Sequence, residues 1–358
     1  MTQLLVMEGD GIGPEICAAT LAVLRAADRR FSLGLSFPSA TIGFAALRAQ
    51  GTTCPDAAIE AAKAADGVIL GPVSHNEYPP VAEGGLNPSG EMRKRLDLYA
   101  NIRPALTRGG FPARCGSPVD LVIVRENTEG FYADRSMHVG PGEFMPTPDL
   151  ALAVRKITRQ GCTRIAESAF ALAMRRRKKV TAVHKANVLR VSEGLFLECV
   201  RAVAARFPQV EYDERLVDAM TALLVRDASP FDVIVTTNMF GDILSDLASE
   251  IAGSLGLAAS LNAGADHAVA QAQHGSAPDI AGQDRANPAS LIGSPAMLLA
   301  WLGERRQNEP LARAAAAIEG ALDRAIADPQ WRTRDLGGPL GTKAFGERVA
   351  TLLGEAAG

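Results

Sequence analysis

Short apolar runs recur along the chain, and each breaks at a polar or glycine-rich turn before a stretch with helical periodicity. Such runs are Leu4–Met7, Gly67–Leu70, Asp120–Val124, Lys179–Lys185 and Asp232–Thr237. Runs this short are typical of buried strands, and the stretches between them place apolar residues on one helix face. The alternation predicts an α/β fold, in which ligand-binding residues lie at the carboxyl ends of strands.

The composition is that of a globular protein without a strong charge bias. The 358 residues are enough for two ordinary domains or one large one, and 47% are hydrophobic against 22% charged. A net charge of −3 argues against a nucleic-acid partner. The N-terminus shows neither a signal peptide nor a membrane span, so we expect a cytoplasmic location. The five cysteines lack CxxC spacing and are predicted to be reduced thiols.

Two segments interrupt the alternation of strands and helices. Residues Tyr132 to Asp149 are rich in glycine and proline and predict an extended arm. Residues His274 to Ser290 form a second long segment full of turn residues. Loops this long in a compact domain tend to be functional.

The turn GDGIGPE after the first apolar run resembles a dinucleotide fingerprint but departs from it. Gly9 and Gly11 fit the pattern, whereas Pro14 stands where the last glycine belongs. The turn therefore predicts either a close approach of backbone to a ligand or only a tight strand-to-helix connection, and the motif leaves both open. It also lacks the Lys-Ser/Thr pair of a phosphate-binding P-loop, which argues against a kinase.

Asp242 and Asp246 are four residues apart in TTNMFGDILSD, directly after an apolar run. On a helix this spacing puts both carboxylates on one face. Two adjacent anions need a cation, so they indicate Mg²⁺ or Mn²⁺, with a solvated helix face as the alternative.

Several cationic side chains fall at the ends of predicted elements. Arg93, Arg103 and Arg125 suggest a small polycarboxylate ligand, because guanidinium forks match carboxylates, although surface salt bridges would also account for each. Lys185, at the end of a strand, is a candidate for proton transfer, and Tyr132 is a candidate partner acid. Each of these two could instead be structural.

Seven motifs in order resemble the β-decarboxylating dehydrogenases, a family of isocitrate, 3-isopropylmalate, homoisocitrate and tartrate dehydrogenases. The motifs are GDGIGPE, RKRLDLYANIRP, VRENTEGFY, HKANVL, TTNMFGDILSDLASEIAGSLG, HGSAPDIAGQDRANP and DLGG. The resemblance implies the two-domain isopropylmalate-dehydrogenase-like fold, with a mixed sheet flanked by helices, rather than a Rossmann fold. It implies a large, NAD-binding domain of 1–98 plus 250–358 and a small domain of 99–249 with the dimer interface and an arm at about 132–149.

The resemblance also implies a reaction and a role for each candidate residue. The family oxidises a 2-hydroxy acid to a 2-keto acid and releases CO₂. The implied metal ligands are Asp218, Asp242 and Asp246, and the implied catalytic residues are Lys185 as base and Tyr132 as acid. The implied substrate-binding residues are Arg93, Arg103, Arg125, Asn87, Ser89, Asn101 and Asn187. In this family Lys185 and Asp218 would come from the neighbouring subunit, which implies a homodimer with shared active sites.

The family's cofactor lies along the segment that matches the second long loop. The implied cofactor-binding residues are His274, Gly275, Ser276, Ala277, Pro278, Asp279, Ile280 and Asn287. The resemblance implies NAD rather than NADP, because the Asp279 carboxylate would accept hydrogen bonds from the ribose and repel a 2′-phosphate. Arg285 is the residue that could instead reach such a phosphate.

The substituent on C3 of the malate core distinguishes the family's substrates. At the positions that isopropylmalate enzymes line with apolar side chains, this chain has Leu86, Ser89 and Gly90. Asn87 and Ser89 resemble, in swapped order, the polar pair of isocitrate enzymes, so an isocitrate-type substrate fits best. The alternatives are 3-isopropylmalate, then homoisocitrate or tartrate. A catalytically dead regulatory subunit is the non-enzyme alternative, although every predicted catalytic and metal residue is present.

Overall fold

The computed structural model describes residues 1–132, 137–140 and 142–355. The strands are β1 Thr2–Met7, β2 Leu35–Ser36, β3 Gly67–Leu70, β4 Ala100–Leu106, β5 Asp120–Glu126, β6 Glu143–Thr147, β7 Leu150–Ala153, β8 Lys179–His184, β9 Glu211–Leu216, β10 Val233–Thr236, β11 Leu261–Ala263 and β12 Ala268–Gln271. The α-helices are α1 Gly13–Phe31, α2 Gly43–Gln50, α3 Asp56–Ala64, α4 Pro88–Arg95, α5 Arg159–Ala173, α6 Ser192–Ala204, α7 Val217–Arg226, α8 Asn238–Ala252, α9 Ala289–Arg306, α10 Glu309–Ala327 and α11 Thr342–Glu355.

A ten-stranded sheet runs through the molecule in the order β2-β1-β3-β12-β11-β4-β5-β10-β8-β9. Its two flanks are parallel, whereas β12, β11, β4 and β5 pair antiparallel with one another. The mixed α/β fold predicted from the sequence is therefore confirmed. No helix among the described residues has the length and apolar character needed to cross a bilayer.

Helices cover both faces of the sheet, and alternate residues of one strand enter different cores. Leu4 and Val6 pack with α1, α9, α10 and α11, whereas Leu5 and Met7 pack with α3 and α4. On the other flank, Val124 faces the core of α5 and α6, and Ile123 faces that of α7 and α8. Two of the four hydrophobic cores consist of buried residues that precede Tyr99 or follow Gly253 in the chain. The other two consist of buried residues between Tyr99 and Gly253. This grouping supports the predicted boundaries, which remain a proposal.

The segment predicted as an arm contains the hairpin of β6 and β7, which are antiparallel and exposed along their whole length. Residues 133–136 and 141 of the predicted arm lie outside the described residues. Within the part of the chain that the structure describes, no hairpin residue belongs to a hydrophobic core, and its apolar side chains are exposed.

One predicted helix begins later than its sequence suggests. The apolar periodicity of residues 186–207 predicts a helix that begins at Ala186, but α6 begins at Ser192. Val188 and Val191 gave the segment its apolar periodicity, yet they are 65% and 89% exposed. Periodicity counted them as core residues, whereas they face outward.

Candidate active site

A cleft of about 300 Å³ lies where the antiparallel centre of the sheet meets α4 and α8. Among its lining residues are the predicted Asn87, Ser89, Arg93, Arg103, Arg125, Tyr132, Asp242, His274 and Gly275. A second cavity of about 380 Å³ is lined mainly by alanine and other apolar residues and holds none of the predicted site residues. The first cleft is concave, and polar and cationic side chains line it, so it suits a small anion.

The register of the sheet places two of the arginines on one face. Arg103 of β4 lies opposite Ile123 of β5, and Ile123 and Arg125 are two residues apart, so both arginines point the same way. Helix α8 packs on this face through Gly241, where an added Cβ would lie 2.6 Å from the Arg125 Cβ. This close approach brings Asp242 of α8 over the guanidinium groups.

The two arginines hold the aspartate pair. Arg125, 1% exposed, donates to Asn238 Oδ1 at 2.9 and 2.7 Å and contacts Asp242 Oδ1. Nη1 of Arg103 lies 3.2 Å from Asp242 Oδ1 and 3.4 Å from Asp246 Oδ1. Both carboxylates therefore converge on one nitrogen atom and project from one face of α8, as their spacing predicts, and their role as metal ligands stays a prediction.

Charge and burial compete at these groups. Burial raises the pKa of Asp242, but attraction to Arg125 and Arg103 outweighs it, so that the pKa lies below its usual range. Burial and repulsion by Arg125 lower the pKa of Arg103 to about 10, which leaves it charged at neutral pH. The cleft floor therefore holds the ionised carboxylate of Asp242, the kind of ligand that a hard divalent ion requires. Asp246 also accepts from Gln273 Nε2 at 2.7 Å, and the buried Gln273 Oε1 has no hydrogen-bond partner among the described residues.

Tyr132 lies beside this pair. Its hydroxyl donates to Asp242 Oδ2 at 3.1 Å, and the Arg125 guanidinium lies 5.7 Å from the centre of its ring. The phenol is thus oriented at the floor of the cleft, within reach of a molecule bound to the arginines.

Lys185 and Asp218 form a separate pair. Lys185 Nζ lies 2.6 Å from Asp218 Oδ1, and the hydrogen bond from this lysine lowers the pKa of Asp218. The nearby Asn187 is exposed. None of these three residues lines the cleft, and among the described residues no group of three or more carboxylate, histidine or cysteine side chains could hold a metal. Within one chain, Asp218 is not brought to Asp242 and Asp246.

Helix α4 forms a wall of the cleft. Asn87 caps it, because its Oδ1 accepts from the backbone of Ser89 and Gly90. Ser89 donates to Gln271 Oε1 at 3.0 Å. Asn101, predicted to bind substrate, does not line the cleft: it is fully buried and donates to Ser260 Oγ at 2.8 Å. It supports the wall from behind.

The predicted cofactor loop joins the glycine turn. Gly11 has φ of +57°, and an added Cβ would lie 2.0 Å from the Ser276 carbonyl oxygen, which accepts from the backbone N–H of Ile12. The glycine is therefore needed for this tight contact between loops. Burial lowers the pKa of His274, whose enclosed Nε2 has no hydrogen-bond partner among the described residues.

The rest of the predicted loop is arranged around a short turn. Ala277 is in the left-handed region, and Pro278, Asp279 and Ile280 form one 3₁₀ turn with Asp279 exposed. Asn287 donates to Asp335 Oδ2 at 2.9 Å, which connects the loop to the DLGG motif. The sequence analysis missed other cleft residues, namely His75, Ser260, Gln271 and Gln273. Single polar residues outside any motif gave no signal there.

Comparisons with known proteins point to one family. A family model described as isocitrate/isopropylmalate dehydrogenase matches residues 3–349. The 3-isopropylmalate dehydrogenase of Archaeoglobus fulgidus is 39% identical over 99% of this chain and 100% of the relative. The isocitrate/homoisocitrate dehydrogenase of Thermus thermophilus is 41% identical over 98% of both. The crystal structure of isocitrate dehydrogenase from Methylococcus capsulatus is 39% identical, with a TM-score of 0.87 over 99% of each chain.

Proposed function

The chain belongs to the isocitrate/isopropylmalate dehydrogenase family, and we propose that it oxidises and decarboxylates a 3-substituted malate, with NAD and Mg²⁺ or Mn²⁺. Two carboxylates converging on the Arg103 guanidinium, in a cleft that Arg93 and Arg125 also line, carry this proposal. A cytoplasmic location is part of it. The presence of Tyr132, Lys185 and the aspartates favours an active enzyme over a regulatory subunit.

Each residue is assigned a task that suits its position. Arg93, Arg103 and Arg125 bind the carboxylates of the malate core, because guanidinium groups pair with them in two-point geometry. Asp242 and Asp246, with Asp218 of a second copy, would hold the divalent ion. When bound, the ion would supply polarisation of the C2 oxygen, and NAD would supply a hydride acceptor. Lys185 of the second copy takes the hydroxyl proton, and Tyr132 donates a proton to C3 after CO₂ leaves.

An isocitrate-type substrate is proposed from the polar wall of the cleft. His75, Asn87 and Arg93 line it, whereas Leu86, the one apolar residue at the three discriminating positions, packs against a core cluster. A carboxylate-bearing C3 substituent would find partners here, and an alkyl group would leave polar groups unpaired. The apolar residues Pro72 and Val73 also line the cleft, so 3-isopropylmalate is the alternative substrate. The relatives do not decide, since both substrate classes occur among those of similar identity.

The substrate is tested by NADH formation with Mg²⁺ across isocitrate, 3-isopropylmalate, homoisocitrate, tartrate and malate. We expect kcat/KM to be highest for isocitrate or homoisocitrate and turnover to stop with a chelator. Highest activity with 3-isopropylmalate would replace the isocitrate-type assignment, and no NADH with any of them would contradict the proposed function.

The choice of NAD rests on Asp279, an exposed carboxylate in the proposed cofactor loop. Asp279→Lys should raise the NADP/NAD ratio of kcat/KM by about tenfold or more, because it replaces repulsion of a 2′-phosphate with attraction. Asp266→Lys, at a carboxylate that is 83% exposed and outside the loop, is the control and should leave the ratio unchanged. An unchanged ratio in Asp279→Lys would remove this residue from the ribose site.

A homodimer is proposed from the apolar side chains that one chain leaves exposed. Those on the hairpin of β6 and β7 are Phe144, Met145, Leu150 and Leu152, and those on the chain segments that carry Lys185, Asp218 and Asp242 are Val188, Val191, Val225 and Ile243. Exposed apolar surface beside functional groups is typical of an interface. A second copy docked here would bring its Lys185–Asp218 pair to the cleft.

Shared sites predict that two inactive variants complement each other. Lys185→Ala and Asp246→Asn should each be inactive alone. Refolded together in equal amounts, they should recover about a quarter of wild-type activity, because half of the dimers are mixed and each has one intact site. Activity would stay absent if every site were built from one chain, and sedimentation of both variants as dimers is the control.

A further inference from the structure

Glu193, in the first turn of α6, is a fully buried carboxylate for which the proposed chemistry has no use. Its Oε1 contacts Arg155 Nη2, and the Arg155 side chain is only 9% exposed. Its Oε2 accepts the backbone N–H of Lys185 at 2.9 Å. This hydrogen bond to the main chain therefore connects the ion pair to the segment that carries Lys185 (the Lys185 segment).

Arg155, the other half of the pair, has partners on several segments that carry proposed site residues. It donates to Ser192 Oγ at 2.8 Å and to Thr237 Oγ1 at 3.0 Å. Its guanidinium lies 5.7 Å from the ring centre of Phe131 and 5.6 Å from that of Phe240. Thr237 and Phe240 lie at the start of α8, the helix that carries Asp242 and Asp246 (the aspartate helix), and Phe131 precedes Tyr132.

We infer that Arg155 and Glu193 are positioning residues that fix the Lys185 segment relative to Tyr132 and the aspartate helix. An apolar pair could fill the same space, but it could not hydrogen-bond the lysine backbone, Ser192 and Thr237 together. The inference rests on the proposed function. If Lys185 serves the cleft of the second copy, the pair also links the two active sites through one chain.

The pair is tested with Arg155→Met, Arg155→Lys and the double variant Arg155→Met/Glu193→Gln. Arg155→Met should lower kcat by about 10²-fold, the effect expected when a catalytic group is misplaced. KM for the substrate should change less than about threefold, since Arg93, Arg103 and Arg125 are untouched. Arg155→Lys should restore part of kcat. The double variant removes both charges, so it should recover the melting temperature but not kcat.

A matched control separates positioning from a loss of buried charge. Arg108 is also a buried arginine, paired with Glu319 and Asp323, and it lies away from the cleft. Arg108→Met should lower the melting temperature and leave kcat unchanged. Wild-type kcat in the double variant, or an equal loss of kcat in Arg108→Met, would overturn the inference.

A second readout keeps the inference independent of the reaction. Hydrogen exchange in the peptide that contains Lys185 should be faster in Arg155→Met than in wild type and unchanged in Arg108→Met. If wild-type protein proves inactive with every substrate, the proposed function fails, and this exchange comparison still decides the inference. Unchanged exchange in Arg155→Met would contradict it.

Discussion

Replacing Lys185 with alanine should lower kcat by about 10³-fold, within the range for losing a general acid–base group. The substitution should leave the fold and the dimer intact. Its partner Asp218 is 64% exposed, and exposed ion pairs contribute little to stability. Steady-state kinetics with the preferred substrate and a thermal melt measure the two effects.

Lys179 offers a matched control, because it begins strand β8 and Lys185 directly follows the end of that strand. Lys179 Nζ lies 3.0 Å from Glu211 Oε1. The two lysine side chains are 22% and 26% exposed, and their carboxylate partners Glu211 and Asp218 are 66% and 64% exposed, so the two ion pairs are closely matched. Lys179→Ala should therefore keep wild-type kcat. Turnover near the wild-type rate in Lys185→Ala would overturn the assignment of this lysine as the base.

Asp242→Asn should abolish Mn²⁺ binding and turnover and also destabilise the protein. The side chains of Arg125 and Arg103 are 2% and 7% exposed, and without Asp242 their charges lose a main partner. Leaving buried charge uncompensated costs about 3 kcal/mol. Titration calorimetry with Mn²⁺ and chemical denaturation give the two quantities.

Asp246→Asn separates the two roles of the aspartates. Asp246 is 55% exposed, and its Oδ1 lies at the longer distance of 3.4 Å from Arg103 Nη1. Its loss should weaken Mn²⁺ binding as strongly as the loss of Asp242 but reduce the free energy of unfolding much less. Wild-type Mn²⁺ affinity in both variants would remove the metal from this site.

The stabilising effect of Asp242 should also depend on pH. Its pKa in the folded protein lies below the ordinary value of 3.8, so the stabilisation is complete above that pH and is lost as the pH falls through the folded-state pKa. The difference in unfolding free energy between wild type and Asp242→Asn should therefore shrink in acid.

The sequence predicted the apolar strands of the sheet and missed its polar centre. All five predicted runs correspond to strands, namely β1, β3, β5, β8 and β10. The antiparallel strands β4, β11 and β12 were not predicted, because their sequences are interrupted by the polar residues Asn101, Arg103, Asn262 and Gln271. Arg103 and Gln271 line the cleft, and Asn101 and Asn262 are buried beside it, so polar side chains remove the apolar signal from the strands that build the site.

The candidate site was predictable to the extent that its residues lie in motifs. Arg103, Arg125, Tyr132 and Asp242, predicted separately, are brought into contact by the register of β4 and β5 and by α8. His75 and Gln273 were not predictable, because their positions depend on tertiary packing alone. The individual residues also gave no sign that the Lys185–Asp218 pair lies apart from the cleft, and only the family resemblance led us to expect active sites shared between subunits.

The proposed metal site is tested most directly by an anomalous-difference map from crystals grown with Mn²⁺ and substrate. We predict one peak in each cleft, coordinated by Asp242 and Asp246 of one chain and by Asp218 of the second. A peak that Asp218 cannot reach from either chain, or no peak beside the arginines, would contradict the proposed reaction.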